Sequence, residues 1–94
     1  MKITTILMLS ILLLASKRPD KASSCEGCHG SGGKIPLNPG IPKIAGQNSF
    51  YLKKQLKDFR SGYRKSPDMG GISKKLTDDD IENLAKYFAN QVCK

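Results

Sequence analysis

The sequence is poor in several residue types, and each scarcity limits what the chain can be. It has 94 residues with no tryptophan, three phenylalanines and three tyrosines. A chain this short makes one domain at most and builds only a marginal hydrophobic core unaided. It would therefore benefit from a large apolar body to fold around. Acidic residues are also few, eight against sixteen Lys and Arg, and the resulting net charge of +8 favours anionic partners or surfaces.

Residues that bind metals or carry redox chemistry are scarce too, with one histidine and three cysteines. A structural zinc site takes four Cys or His ligands, and Cys93 lies far along the chain from Cys25 and Cys28, so a closed site would be strained. A thioredoxin-like dithiol would come with a βαβ pattern, which is absent. A simple disulfide suits an exported protein but leaves His29 unexplained.

What the sequence does contain is the stretch Cys25-Glu26-Gly27-Cys28-His29. The pattern C-x-x-C-H is the attachment motif of c-type haem. On a helical turn the spacing of Cys25 and Cys28 puts both sulfurs on one face, where they match the two vinyl groups of a haem. His29 then projects towards the iron. The motif predicts one covalent haem c, with two thioether bonds and His29 as an axial ligand.

The first fifteen residues are typical of a secretory signal peptide. Lys2 gives a short positive start, and the apolar run at 3–15 is interrupted only by Thr and Ser. This run of 13 residues is shorter than the ~20 that a membrane span needs. We expect cleavage between residues 15 and 23, export, and a single mature domain at 16–94 without a stable membrane span.

Met69 is the predicted partner of His29. An iron held by one His needs a group on its other side, and a thioether is common in electron-transfer proteins. Once the signal is removed, Met69 is the only methionine, and it lies 40 residues after His29 in a segment with Gly and Pro. The alternative left open is an open or water-bound iron, which would mean ligand binding or catalysis.

The remaining pattern predicts an all-α fold with long loops. Gly and Pro recur throughout 30–46, but four large aliphatics among them predict an ordered loop: Ile35, Leu37, Ile41 and Ile44. A helix is expected at 48–60, capped by Asn48 or Ser49 and ended by Gly62, with a second loop at 61–73. The last helix, at 78–91, has Thr77 as its cap and an apolar stripe at Ile81, Leu84, Ala85 and Phe88. A brief helix from about Pro19 into the cysteine pair is weakly coded.

These stretches, in this order, resemble class I cytochromes c of the short bacterial, periplasmic kind. The matching residues are CEGCHG at 25–30, PGIPKIAGQ at 39–47, FYLKKQLKDFRSGYR at 50–64, Met69, and LTDDDIENLAKYFANQ at 76–91. The resemblance implies a small cytochrome c-like fold of three to four helices around a mostly buried haem, with the first and last helices crossing. It implies a periplasmic electron carrier that is not itself an enzyme and does not bind nucleic acid.

The resemblance also implies contacts around the haem. In the family, a proline carbonyl of the first loop accepts the Nδ1 proton of the haem-ligating His, and Pro39 is our choice by position, with Pro42 and Pro36 as alternatives. Tyr87 and Phe88 are expected to pack the last helix against the haem edge and the first helix. Suitable donors to the haem propionates are Tyr51, Arg60 and Tyr63.

The basic surface predicts redox protein partners with acidic docking surfaces. The lysines expected to steer them are Lys34, Lys43, Lys53, Lys54, Lys57 and Lys74. The sequence departs from the family before Cys25, where the usual glycine and aromatic of the helix crossing are missing and Lys17 and Lys21 stand nearby. Cys93 is left unpaired. These departures favour an alternative in which the chain is a tightly docked cytochrome subunit of a periplasmic dehydrogenase.

Overall fold

A computed structural model describes residues 18–92 as a helical domain. Its elements are α1 (Ala22–His29), a 3-10 turn (Ser31–Gly33), α2 (Ser49–Ser61), α3 (Pro67–Ser73) and α4 (Asp78–Ala89). Strands are absent from this part of the chain, so the prediction of an all-α fold with long loops is confirmed. The signal-peptide prediction, Lys17 and Cys93 concern residues outside 18–92. None of the helices within 18–92 has the length and apolar character that crossing a membrane requires.

The two long helices begin as their capping residues predict. The Asn48 side chain accepts a hydrogen bond from the Tyr51 N–H at 3.0 Å, which satisfies a free donor at the start of α2. Thr77 and Asp80 form a capping box at α4, because each side chain accepts from the backbone N–H of the other residue. Gly62 ends α2 with a left-handed backbone (φ 85°) that glycine adopts at little cost.

Helix α3 was not predicted, since 61–73 was expected to be a loop. The Ser66 hydroxyl caps it by accepting from the Met69 N–H at 3.2 Å, and Pro67 occupies its first turn, where a missing N–H is harmless. Gly70 and Gly71 lower the helix propensity of this segment, so the sequence favours a loop there. The cap and the proline were the signals that reveal it, and the helix gives Met69 a defined backbone.

The hydrophobic core is centred on α4. Ile81 and Leu84 are fully buried, and Ala85 and Phe88 are nearly so, as the apolar stripe predicts. The other members of the core cluster are Ala22, Cys25, Leu52 and Leu76. Burying a large aliphatic side chain contributes about 1.5–3 kcal/mol, so α4 and its neighbours supply much of the apolar stabilisation that the protein part has.

The segment before Cys25 meets α4 partly through charges. Ala22 is fully buried in the core, and beside it Lys21 Nζ donates to Asp80 Oδ2 at 2.7 Å and to the Lys75 carbonyl at 3.3 Å. Asp80 is itself part of the α4 capping box. The polar sequence before Cys25 therefore still makes a contact with the start of α4, although it lacks the glycine and the aromatic residue expected at a helix crossing.

The loop between α1 and α2 is held by backbone hydrogen bonds. The Leu37 N–H donates to the Cys28 carbonyl at 2.9 Å, and the Gly46 N–H donates to the Phe88 carbonyl at 2.9 Å. Its aliphatic side chains do not all pack inward, however. Ile44 packs against the core, whereas Ile35 and Leu37 are 78% and 72% exposed. The order of this loop comes more from its hydrogen bonds than from burial of its aliphatic residues.

Candidate functional site

A cavity of about 390 Å³ lies between the helices and the first loop. Cys25, Cys28, His29 and Met69 all line it. The fold therefore brings Met69 to the same cavity as the attachment motif, although 40 residues separate it from His29. The volume is within the usual range for a small-molecule or cofactor site, about 300–1,000 Å³.

His29 ends α1 and is only 7% exposed. Its Nδ1 lies 2.7 Å from the Pro42 carbonyl oxygen. A carbonyl can only accept, so the neutral ring donates from Nδ1, and its Nε2 carries the free lone pair that a metal ion requires. The cavity thus contains a histidine with a fixed orientation and tautomer.

Pro39 was predicted as the acceptor for His29, and the structure corrects this to Pro42, one of the two alternatives. Pro39 lies inside a turn that is closed by the Ile41 N–H donating to the Asn38 carbonyl at 3.1 Å. The Asn38 side chain reinforces the turn by accepting from the Gly40 N–H at 2.9 Å. Residues 38–41 form this turn, and Pro42 is the first proline after it. Position along the sequence alone does not reveal this turn.

The two cysteines differ in their surroundings although they share one turn of α1. Cys25 is 5% exposed, whereas Cys28 is exposed at the mouth of the cavity. Burial raises the pKa of the Cys25 thiol to about 11, and the negative charge of Glu26 adds to the effect. In this folded state Cys25 is therefore a neutral thiol at physiological pH, and both sulfurs are free to carry a covalent group.

The walls of the cavity are mainly apolar. They include Ile41, Ile44, Leu52, Leu56, Phe59, Ile72, Leu84 and Phe88. An apolar chamber with two thiols, one histidine nitrogen and one thioether has the donor set that a covalently held haem requires, and the residues present fit that group. Phe88 takes part in both the core and the wall, as expected, so α4 couples the cavity to the rest of the fold.

The arginine at the cavity is Arg64 and not the predicted Arg60. Arg64 lines the cavity, its Nη1 donates to Gln55 Oε1 at 2.5 Å, and its guanidinium carbon lies 4.6 Å from the centre of the Phe59 ring. These two contacts hold an extended cationic side chain beside the cavity. Lys65 lines it as well.

Arg60 instead donates to the Leu76 carbonyl at 3.1 Å and to Asp78 Oδ1 at 2.6 Å, where it braces α2 against the start of α4. Tyr63 is 82% exposed and does not line the cavity, whereas Tyr51 does. Of the three residues predicted as propionate donors, Tyr51 lines the cavity, and Arg60 and Tyr63 do not. Arg60 lies within α2, on the face that meets the start of α4, and Tyr63 follows the left-handed Gly62, where the chain leaves the helix.

The lysines that were predicted to steer redox partners do not all present a free charge at the cavity. Lys53 pairs with Glu82 at 3.2 Å, and Lys54 pairs with Asp58 at 2.7 Å, so both charges are partly compensated within the chain. Lys43 lines the cavity, as does Lys65, which was not in the predicted set. Positive charge at the cavity therefore comes from the loops that flank α2.

The known proteins that are similar to this chain agree on one family. Residues 20–88 match the family model described as cytochrome C oxidase, cbb3-type, subunit III. The chain is 44% identical over 71 residues to cytochrome c4 of Pseudomonas aeruginosa, which covers 76% of this chain and 35% of that protein. It is 40% identical over 85 residues to cytochrome c-553 of Helicobacter pylori, covering 88% and 86%.

Solved structures show the same fold. A thiosulfate dehydrogenase from Marichromatium purpuratum aligns with a TM-score of 0.68 and 32% identity, over 73% of this chain and 15% of that one. The chain spans about a third to a half of the cytochromes c4 that it matches. Together with the attachment motif and the cavity that it lines, these similarities show that the chain belongs to the c-type cytochrome family, whose members carry covalent haem c.

Proposed function

We propose that the chain is an exported electron carrier that holds one haem c through Cys25 and Cys28 and ligates its iron with His29 and Met69. The observation that carries the proposal is that these four residues line one cavity. Three of them belong to α1 and Met69 belongs to α3, so their meeting is a property of the fold and not of the motif alone.

The residues of the chain set the properties of this site. Haem c supplies a one-electron Fe(III)/Fe(II) couple when bound. The Pro42 carbonyl fixes the His29 ring and raises the donor strength of its Nε2. The apolar walls exclude water and disfavour the form with the larger net charge, and a thioether ligand such as Met69 raises the reduction potential in the same direction. Both effects suit a carrier that accepts and releases single electrons.

Arg64 and Tyr51 are the proposed partners of the haem propionates. Both line the cavity, and Arg64 is already held there by Gln55 and Phe59. A guanidinium binds a carboxylate in a fixed planar geometry, so Arg64 takes the place that the sequence had suggested for Arg60.

The proposed docking surface lies beside Cys28. This exposed cysteine is joined to the loop by the hydrogen bond from the Leu37 N–H, and Ile35 and Leu37 expose their side chains there. Lys34 and Lys43 flank the exposed aliphatic segment in sequence. An apolar surface flanked by lysines suits a redox partner with an acidic rim, and the attraction would speed their encounter in the periplasm.

The test is the visible spectrum of the exported protein. The reduced protein should show the sharp bands of a c-type haem, and the oxidised protein should show the weak long-wavelength band of His–Met iron. Met69→Leu should abolish that band, whereas Ile72→Leu, a control on the same helix and cavity wall, should retain it. A band that survives in Met69→Leu would exclude Met69 as the ligand.

A second candidate function is that of a cytochrome subunit docked on a dehydrogenase. The similarity to part of a thiosulfate dehydrogenase structure favours it. Size-exclusion chromatography of periplasmic extract at native concentration separates the two functions. A free monomer supports the carrier, and elution of the haem absorbance with a much larger protein supports the subunit.

A further inference from the structure

Glu26 lies between the two attachment cysteines, and its carboxylate is nearly buried. The side chain is 11% exposed. Its Oε1 accepts from Nε of Arg18 at 2.8 Å and also from Nη2 of the same guanidinium. Its Oε2 accepts from the Gly32 N–H at 2.6 Å and from the Tyr87 hydroxyl at 3.1 Å. Both oxygens are thus fully engaged by groups from three other parts of the chain.

These contacts join parts of the fold that are far apart in sequence. Arg18 belongs to the segment before α1, Gly32 to the 3-10 turn, and Tyr87 to α4. Glu26 itself is on α1, which also presents Cys25, Cys28 and His29. The carboxylate therefore fixes the position of the attachment helix against the last helix, at the side where the sequence lacks the usual apolar crossing.

The electrostatics of this cluster are unusual for a surface pair. Burying a carboxylate is costly unless it is paired and hydrogen-bonded. Burial alone would raise the pKa of Glu26, but the hydrogen bonds from Arg18, Gly32 and Tyr87 outweigh it, and the pKa lies below its usual value. Glu26 is thus ionised at neutral pH, one residue from Cys25 and two from Cys28, and Arg18 supplies the compensating charge.

We propose that Arg18 and Glu26 form a charge-compensated pair that positions the attachment helix and keeps the Glu26 charge from lowering the reduction potential of the iron. A negative charge near the iron stabilises the oxidised form, because that form carries one more positive charge. Arg18 offsets this effect. The inference rests on the proposed function, since it assumes a haem held by Cys25 and Cys28.

The proposed pair predicts that the two single variants change the reduction potential in opposite directions, which a purely structural role does not predict. Glu26→Gln keeps a side chain of the same shape and an acceptor for Gly32, but it removes the negative charge, so the potential should rise. Arg18→Gln leaves Glu26 uncompensated, so the potential should fall. The double variant should lie close to the wild type. If the cluster only supported the fold, both single changes would loosen the site and move the potential in the same direction.

Potentiometric titration of the exported holoproteins measures their reduction potentials. Each single variant should change the ratio of reduced to oxidised protein at a fixed potential by at least about threefold, which is roughly 30 mV for one electron. Lys21→Gln and Glu82→Gln are matched controls. Lys21 and Arg18 are almost equally exposed, at 45% and 46%, but Asp80, the partner of Lys21, is more exposed than Glu26. Glu82 is a half-exposed carboxylate on α4. Both controls should shift the potential less than the pair does.

Shifts of the same sign, or shifts no larger than those of the controls, would overturn the proposal. If Arg18→Gln does not accumulate, the double variant decides, because removing both charges should restore the holoprotein; failure of the double variant as well would show that the cluster is structural only. The wild-type spectrum separates this outcome from a failure of the proposed function, because a chain without a c-type haem spectrum would refute that function before any variant is compared.

Discussion

Gly33 is, with Gly30, one of the two glycines where an added methyl group would come within 2.5 Å of other atoms, and Gly33→Ala should be among the most damaging single-methyl changes. Its φ is +73°, and a Cβ built there would lie 2.5 Å from Ile44 Cγ1 and 3.0 Å from Phe88 Cδ1. The backbone cannot swing away easily, because the Gly33 carbonyl accepts from the N–H groups of Ile44 and Ala45, both at 3.0 Å. Ile44 and Phe88 also form part of the cavity wall.

The expected cost has two parts. A left-handed backbone costs a non-glycine residue about 1–2 kcal/mol. Forcing an extra methyl into a packed site costs about 1–3 kcal/mol more. For Gly33→Ala the free energy of unfolding should therefore fall by about 2–5 kcal/mol. At Gly62 only the backbone cost applies, because its φ is +85° but an added Cβ would meet nothing within 4 Å.

Guanidinium denaturation of the holoproteins, followed by far-ultraviolet circular dichroism, gives the free energies of unfolding. Gly62→Ala should cost about 1–2 kcal/mol. Gly71→Ala should stabilise by about 0.5–1 kcal/mol, since Gly71 is helical and its Cβ would meet open space. If Gly33→Ala were no worse than Gly62→Ala, the packing of the 3-10 turn against Ile44 and Phe88 would be wrong.

Three further predictions concern single side chains. The Ser73 hydroxyl is fully buried and has no hydrogen-bond partner among residues 18–92, so Ser73→Ala should raise the free energy of unfolding by about 1 kcal/mol in the same denaturation assay, and a loss of that size would reveal a hidden partner. Arg64→Gln should lower the reduction potential measured by voltammetry, whereas Arg60→Gln should leave it nearly unchanged and lower stability through the lost Asp78 contact; the reverse order would restore Arg60 as the propionate residue. Lys43→Glu should slow reduction of a negatively charged oxidant in stopped-flow measurements at low salt, and an unchanged rate would remove Lys43 from the docking surface.

The elements that local chemistry encodes were predictable from sequence. The cap at Asn48, the capping box at Thr77 and the stripe through Leu84 and Phe88 specify α2 and α4 within one or two residues. The attachment motif is local as well, and the structure brings Met69 to the same cavity. These features depend on neighbouring residues or on a periodic pattern, so the sequence shows them directly.

The differences between the predicted and the observed site arise at loops and turns, where the direction of the chain cannot be read from a periodic pattern. The turn at 38–41 moves the acceptor for His29 from Pro39 to Pro42, and Arg64 lines the cavity after the left-handed Gly62, whereas Arg60 lies on the face of α2 that meets the start of α4. Both depend on backbone angles at a few residues. The cluster around Glu26 went unnoticed for another reason, since its three partners come from separate parts of the chain and no spacing connects them.

The central claim is that one haem is held by Cys25 and Cys28 in the cavity that Met69 also lines. The most direct measurement is the intact mass of the exported protein after denaturation, for the wild type and for Cys25→Ser/Cys28→Ser. The account predicts that the wild type exceeds its chain mass by one haem and that the double variant carries none. A wild-type chain without covalent haem, or with more than one, would contradict it, as would covalent haem that persists in the double variant.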